Sequence, residues 1–309
     1  MPDSLLVSSP DTASRDVFHQ SWYPLALSGE VTAEKPLGVD FLGSRVVTYR
    51  DAAGKPVVQG AYCPHLGADL SLGAMIEGGL RCPFHHWRFG ADGRCAHIPT
   101  GDRIPANATV PVYPSSEAWG IVWAFNGTTP LFAPPGIPDA GEENLVIEAA
   151  CYGARPIEPW MATSNGVDFQ HLRTLHGLQT EMPTTVDAGP HSIEFTVEMP
   201  AYAQHGLITG TNIFAQHLRA GENHMWMLFA GRSVARRRSA GYYVAGVAPG
   251  RGAKERLAAT KEMMLRLMNE DAPILNKMRF RKGTLIGADR FLARFLKYVA
   301  DFPVAAPQD

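Results

Sequence analysis

The stretch "AYCPHLGADL" (61–70) is echoed by "RCPFHHWRF" (81–89). Each opens on a Cys-Pro pair, sets a histidine just beyond it, and runs on into aromatic or apolar residues. Together they give C-x-H-x16-C-x-x-H, formed by Cys63, His65, Cys82 and His85. The chain has only 4 cysteines, so two of them in matching loops is a pattern that needs a reason. Two thiolates and two imidazoles suit tetrahedral zinc. They equally suit a two-iron cluster with cysteines on one iron and histidines on the other. The spacing favours the second. Each loop offers one Cys and one His, so two equivalent loops can clamp a cluster from both sides, whereas zinc modules more often pair their ligands as C-x2–4-C. A zinc-stabilised module, and ordinary core cysteines beside loop histidines, are the competing readings.

The rest of the chain sets the frame. It has 309 residues and a formal net charge of −2, which gives no broad basic field for nucleic acid or an anionic membrane. No apolar run reaches the roughly 18 residues of a membrane span. The opening "MPDSLLVSSPDTASRD" lacks a basic start and a long apolar stretch, so no signal peptide is expected. A soluble cytoplasmic protein is the expectation, in which cysteines grouped with histidines point to metal rather than disulfides.

Composition and periodicity divide the chain into four segments: an N-terminal segment 1–19, a small antiparallel β domain 20–127, a linker 128–144, and a second domain 145–309. Residues 14–30 read as a short helix and lead-in anchored by Trp22 and Tyr23. "SRVVTYRD" (44–51), "PVVQGAY" (56–62) and "GIVWAFNG" (120–127) read as strands, with turns at 51–54 and 90–95. The Pro- and Gly-rich run from 127 to 144 reads as a spacer. Beyond it, strands are expected within 191–202, 207–218, 224–234 and 241–249. Helices are expected over 161–178, over 253–280 with a kink or restart at Pro273, and over 289–302 with Phe291, Leu292, Phe295 and Val299 on one side. The fold class is therefore α+β: an antiparallel β domain, then an antiparallel sheet with flanking helices.

Within the second half, "NGVDFQHLRTLH" (165–176) sets out Asp168, His171 and His176 as D-x-x-H-x4-H. Two histidines and a carboxylate with open positions are the donor set of non-haem Fe(II) sites that use oxygen. On a regular helix, residues five apart point roughly 140° from each other. The helix must therefore end or unwind near Thr174 for both histidines to meet one ion. Asp168 and His171 share a face, so Asp168 is expected to orient the His171 ring.

These motifs resemble the Rieske proteins over about residues 20–127, and the whole chain is similar to the Rieske non-haem iron oxygenases, the ring-hydroxylase superfamily of short monooxygenase type. "CPHLGADL" and "CPFHHWRF" match the two cluster loops. Ala68 and Phe84 stand where respiratory members carry a loop disulfide; Leu66 replaces a usual Arg and His86 a usual Gly. The resemblance implies a 2Fe-2S Rieske cluster on Cys63, His65, Cys82 and His85, and a mononuclear Fe(II) on His171 and His176. "NEDAPILNKMRF" (269–280) supplies the third ligand, which nominates Asp271, with Glu270 as the neighbour most easily confused with it. It assigns Asp168 to bridging a neighbouring subunit's cluster to the iron, with Asn165 beside the site, and so implies a ring-shaped homotrimer. The closing helix 289–302 also resembles that of short members, and "DGRCAHIPTGDRIP" (92–105) resembles steroid-oxidising ones.

No dinucleotide or phosphate-binding loop is present in the sequence, so electrons must come from a separate NAD(P)H-dependent reductase, with or without a ferredoxin. The function implied is that of a terminal oxygenase component that uses O2 to hydroxylate or demethylate an apolar cyclic substrate, steroid-like, polycyclic or aromatic. The other reading is a Rieske electron-transfer protein with a non-catalytic C-terminal domain. Asn212, Phe214, Met225, Trp226 and Met227 are the strand residues nominated to line a pocket.

Overall fold

A computed structural model describes residues 17–281, 283–306 and 308. Most of the expected N-terminal segment lies outside the described residues. The lead-in from Phe18 is extended, not helical: strands Phe18–His19 and Trp22–Leu27, then a single 3-10 turn at Ser28–Glu30. The reason is burial. Trp22, Tyr23, Leu25 and Ala26 are all enclosed, because the strand is covered on both faces.

The first half is built of small antiparallel sheets. Leu37–Phe41, Ser44–Arg50, Pro56–Gly60 and Val112–Tyr113 form one. Trp22–Leu27 pairs with Ile121–Phe125, which in turn pairs with Ser115–Ala118. The two cluster loops grow from a third sheet of very short strands, Ala74–Ile76, Gly79–Arg81, Arg88–Phe89 and Cys95–His97.

The second half is a seven-stranded antiparallel sheet. Its spatial order is Val146–Arg155, Arg238–Val247, Asn223–Ala235, Ile213–Ala220, Tyr202–Thr209, Ser192–Met199 and Thr185–Ala188. Ser192–Met199 shows how the sequence dictates this: Ile193, Phe195 and Val197 are buried while Glu194 and Glu198, on the alternate positions, are exposed. Four helices flank the sheet: α1, Pro159–Asn165; α2, Phe169–Thr174; α3, Ala253–Leu275; and α4, Arg290–Asp301. Phe291, Phe295 and Val299 of α4 pack with Trp160, Phe169, Phe195 and Phe214 into the core between helices and sheet.

Three further expectations change. The run 161–178 is two short helices, broken where Gly166 presses against the ring of Phe214; a Cβ there would come within 2.5 Å of that ring. Helix α3 runs as one element through Pro273 and stops at Leu275. A proline in the last turn removes one backbone bond and ends the helix soon after, so no restart is needed. The expected spacer 128–144 is packed down: Phe132 O accepts from Trp22 Nε1 at 3.0 Å, Pro135 O accepts from Trp119 Nε1 at 2.9 Å, and Ile137 is buried.

The two halves share a core. Trp22, Trp119, Trp123 and Phe125 of the first pack with Ile213, Trp226, Leu228 and Val244 of the second. Polar bonds cross the same boundary. Buried Asn212 donates to Trp22 O (2.9 Å) and Gly231 O (2.8 Å), and Ser21 Oγ donates to its carbonyl oxygen at 2.7 Å. Arg232 and the Tyr242 hydroxyl both donate to Leu25 O. Among the described residues no helix is long and apolar enough to cross a membrane.

Candidate metal centres

The two loops at 63–68 and 82–87 fold alike. Cys63 N–H donates to Ala68 O at 2.9 Å and Cys82 N–H to Trp87 O at 2.8 Å, each closing a turn of the same length. Gly67 and His86, each four residues after the cysteine, are both left-handed, with φ of 76° and 60°. The cysteines point inward and are buried; His65 and His85 stand outside, exposed, with ring centroids 4.5 Å apart. His65 also stacks flat on Trp87, at 4.6 Å and 4°. Burial pushes the Cys63 thiol up to about 11; the His65 N–H opposes this and the adjacent Cys82 thiol adds to it. Two buried thiols side by side become good ligands once a cation lies between them. An inner pair of sulfurs and an outer pair of imidazoles fit the two ends of a two-iron cluster. Cys95 and Cys151 lie elsewhere, one in the adjacent short sheet and one exposed on the large sheet.

The second site forms where α2 ends. His171 lies within α2, the helix stops at Thr174, and His176 comes two residues later. That unwinding is what the five-residue spacing demands, and it brings the two rings to 4.6 Å, edge to face. Across from them, α3 presents Glu270 and Asp271. Asp271 Oδ1 is 2.9 Å from His171 Nε2 and 3.1 Å from His176 Nε2, and its other oxygen accepts from Asn165 Nδ2 at 2.9 Å. One donor atom from each of His171, His176 and Asp271 lies within 4.8 Å of the others. Glu270 approaches His176 from behind, 2.6 Å from Nδ1, which leaves Nε2 facing inward. The donor set suits a divalent first-row metal with open positions. Burial lowers the pKa of His171, but Asp271 and then Asp168 outweigh it and hold the ring above its usual value.

Asp168 does not orient the His171 ring as expected. It is the N-cap of α2, and its carboxylate accepts from the His171 backbone N–H at 2.9 Å. A non-helical residue just before a helix offers its side-chain oxygen to the free amides of the first turn, and that geometry outcompetes the side-chain contact. The His171 Nδ1 is buried without a hydrogen-bond partner among the described residues.

The triad opens onto a cavity of about 1050 Å³, its mouth included, with mainly apolar walls. Asn212 and Phe214 line it as expected. Met225, Trp226 and Met227 do not: Trp226 packs in the core shared by the two halves, and the two methionines pack under α3. Strand alternation sends neighbouring residues to opposite faces, so a run of three could not all have faced one pocket. Phe229, Gln216 and, at the sheet edge, Tyr152 and Arg155 line it instead. Only the strand pairing could have nominated them.

Fold and sites thus define a two-part protein, with a paired Cys/His loop domain ahead of a sheet that carries a His-His-carboxylate pocket. Residues 21–114 match the Rieske [2Fe-2S] domain family. The 3-chlorobenzoate-3,4-dioxygenase oxygenase subunit of Comamonas testosteroni is 30% identical over 226 residues, 69% of this chain and 50% of that protein. A 3-ketosteroid-9-alpha-monooxygenase oxygenase component of Rhodococcus rhodochrous is 37% identical over 119 residues, 38% of this chain and 31% of that protein. The chain spans about half the length of the curated relatives it matches, or less. The structure of NdmB from Pseudomonas putida CBB5 shares the fold with a TM-score of 0.81 at 18% identity, over 95% of this chain and 93% of that one. Residues 21–114 thus belong to the Rieske [2Fe-2S] domain family, and over 69% of its length the chain is similar to an oxygenase subunit.

Proposed function

We propose that this chain is the terminal oxygenase component of a Rieske-type monooxygenase. The observation that carries the reading is the convergence of His171, His176 and Asp271 at the wall of an apolar cavity, in a chain that also holds a Rieske domain. Relatives named for oxidising a chlorobenzoate and a ketosteroid support an apolar cyclic substrate, hydroxylated or demethylated. Residues 20–127 would form the cluster domain and 145–309 the catalytic domain. Cys63, His65, Cys82 and His85 would hold the 2Fe-2S cluster; His171, His176 and Asp271 would hold Fe(II).

When bound, these groups supply one-electron transfer and oxygen activation. The chain's own residues do the rest. Glu270 fixes the tautomer of His176, Asn165 holds Asp271, and the apolar walls exclude water from the substrate. Asp168, half-buried and capping the helix of His171, is the carboxylate we assign to the junction with a neighbouring copy's cluster loop in a homotrimer. A separate reductase, with or without a ferredoxin, would deliver the electrons, in the cytoplasm.

Iron analysis with oxygen-uptake measurements tests the reading. Three irons per chain and substrate-dependent oxygen use with a reductase are expected. His176→Ala should lose one iron and all oxygen use while keeping the cluster's visible spectrum. Two irons per chain in the parent would instead identify an electron carrier with a non-catalytic C-terminal half.

A further inference from the structure

Arg155 is the one Arg or Lys among the described residues that line the cavity. It ends the edge strand Val146–Arg155, half-buried, paired across the sheet with Ser239, which also lines the cavity. No carboxylate lies within ion-pair distance of it among the described residues. Its neighbour is Tyr152: the guanidinium carbon sits 4.4 Å from the centre of that ring. The Tyr152 hydroxyl donates to Asn269 Oδ1 at 2.7 Å, two residues before Asp271 on α3. Arg155 therefore stands on the same wall as the triad, about one tyrosine side chain away from the turn that carries Asp271.

A guanidinium facing apolar walls without an acid partner is a site left incomplete, because a charge that gives up water needs a counter-charge. Its flat face is covered by the tyrosine ring, which favours a cation electrostatically. Its N–H groups lie in the plane, where two of them match the two oxygens of a carboxylate. The cavity's other charged group of fixed sign, Asp271, is already engaged by Asn165 and both histidines.

We infer that the substrate is an apolar ring system bearing one carboxylate, and that Arg155 binds that carboxylate while the ring reaches the triad. The inference rests on the reading of this cavity as the substrate pocket, and names the substrate's charge.

Titration calorimetry on the iron-loaded protein tests it, with a panel of one- to three-ring aryl carboxylates and their matching carboxamides as probes. At least one acid should bind about tenfold or more tightly than its amide, the scale of a hydrogen bond to a charged group. Arg155→Gln should bring that ratio to within about twofold of unity while amide binding stays. Arg155→Lys should recover part of the preference, which a purely structural role for the Tyr152 stack would not predict. His176→Ala, with the mononuclear metal site broken, should keep the acid preference, which excludes direct capture of the acid by that metal. A panel in which no acid outbinds its amide, or a preference that survives in Arg155→Gln, overturns the inference. Failure of the oxygenase reading shows separately, as an absence of oxygen uptake with any acid that binds.

Discussion

His86 holds a φ of 60° at the position where the partner loop has Gly67 at 76°. Sequence alone reveals the departure from the usual glycine but not its cost. A non-glycine residue in this region loses roughly 1–2 kcal/mol, and the unfolded-state freedom of glycine returns about 0.5–1 kcal/mol. His86→Gly is expected to stabilise the protein by roughly 0.5–1 kcal/mol, read as a higher thermal midpoint with an unchanged cluster spectrum. A lower midpoint would show that the exposed imidazole makes a contact worth more than the strain. The likeness of the two loops was legible for a related reason: cysteine and histidine spacing is a one-dimensional record of loop geometry. The contact between Glu270 and His176 was not, because it joins residues 94 positions apart.

Asp168 separates two roles that sequence reading merged. As the N-cap of α2 it is replaceable by Asn, which caps about equally well, whereas Ala costs about 1 kcal/mol. Asp168→Asn should therefore keep the fold, the cluster and the mononuclear iron, and lose only what the negative charge provides. In stopped-flow mixing of reduced protein with oxygen and a substrate, the cluster absorbance should recover far more slowly than in the parent. Equal rates would leave Asp168 a capping residue alone.

At the scale of elements, periodicity located the long strands and α4, where one face is buried and the other wet. It failed on the segment 128–144, whose Pro and Gly content hides a packed strap. Asp139 fastens that strap to the sheet. Its two oxygens meet His205 Nδ1 (3.0 Å) and His217 Nδ1 (2.7 Å), His205 Nε2 meets Glu194, and His217 Nε2 lies 3.1 Å from His224 Nδ1. Partial burial works against protonation of His205, but Glu194 and Asp139 outweigh it and raise its pKa. His217 is lowered, by burial first, with Asp139 opposing and His224 and Arg219 adding to the shift. The signs differ. Stabilisation from His205 is complete below its ordinary value near 6.5 and is lost as pH rises through the raised one. His217 is neutral in that window and drops out, and Asp139, whose pKa is lowered, stays ionised. As pH rises from about 6.5 through the raised value, the thermal midpoint of the parent should fall more than that of His205→Gln. Parallel curves would show that His205 is not the group that titrates.

At the scale of the whole molecule, the two halves are bound by a shared aromatic core and by Arg232, whose guanidinium is buried and donates to Pro24 O, Leu25 O and the Tyr242 hydroxyl. The sequence suggests a division into two halves; the joint between them is not legible there, because each half contributes only ordinary apolar strands to it. Arg232→Met keeps most of the volume but strips a charged donor from Pro24 O and from Leu25 O, leaving the Tyr242 hydroxyl as the side-chain donor to Leu25 O. A buried acceptor left without its charged donor costs about 2–3 kcal/mol. Tyr242→Phe removes the other bond to Leu25 O and should cost about 1 kcal/mol. Because both bonds end on one carbonyl and Arg232 also donates to Tyr242, the pair is expected to be non-additive by more than about 0.5 kcal/mol. Calorimetry reads the consequence directly. The parent should unfold in one transition, since separating the halves would expose Trp22, Trp119 and Trp123 together with Trp226. The double variant should split that transition in two, the seven-stranded sheet and the cluster domain melting at different temperatures. A single transition in the double variant, shifted by the simple sum of the two changes, would show that the aromatic core alone couples the halves.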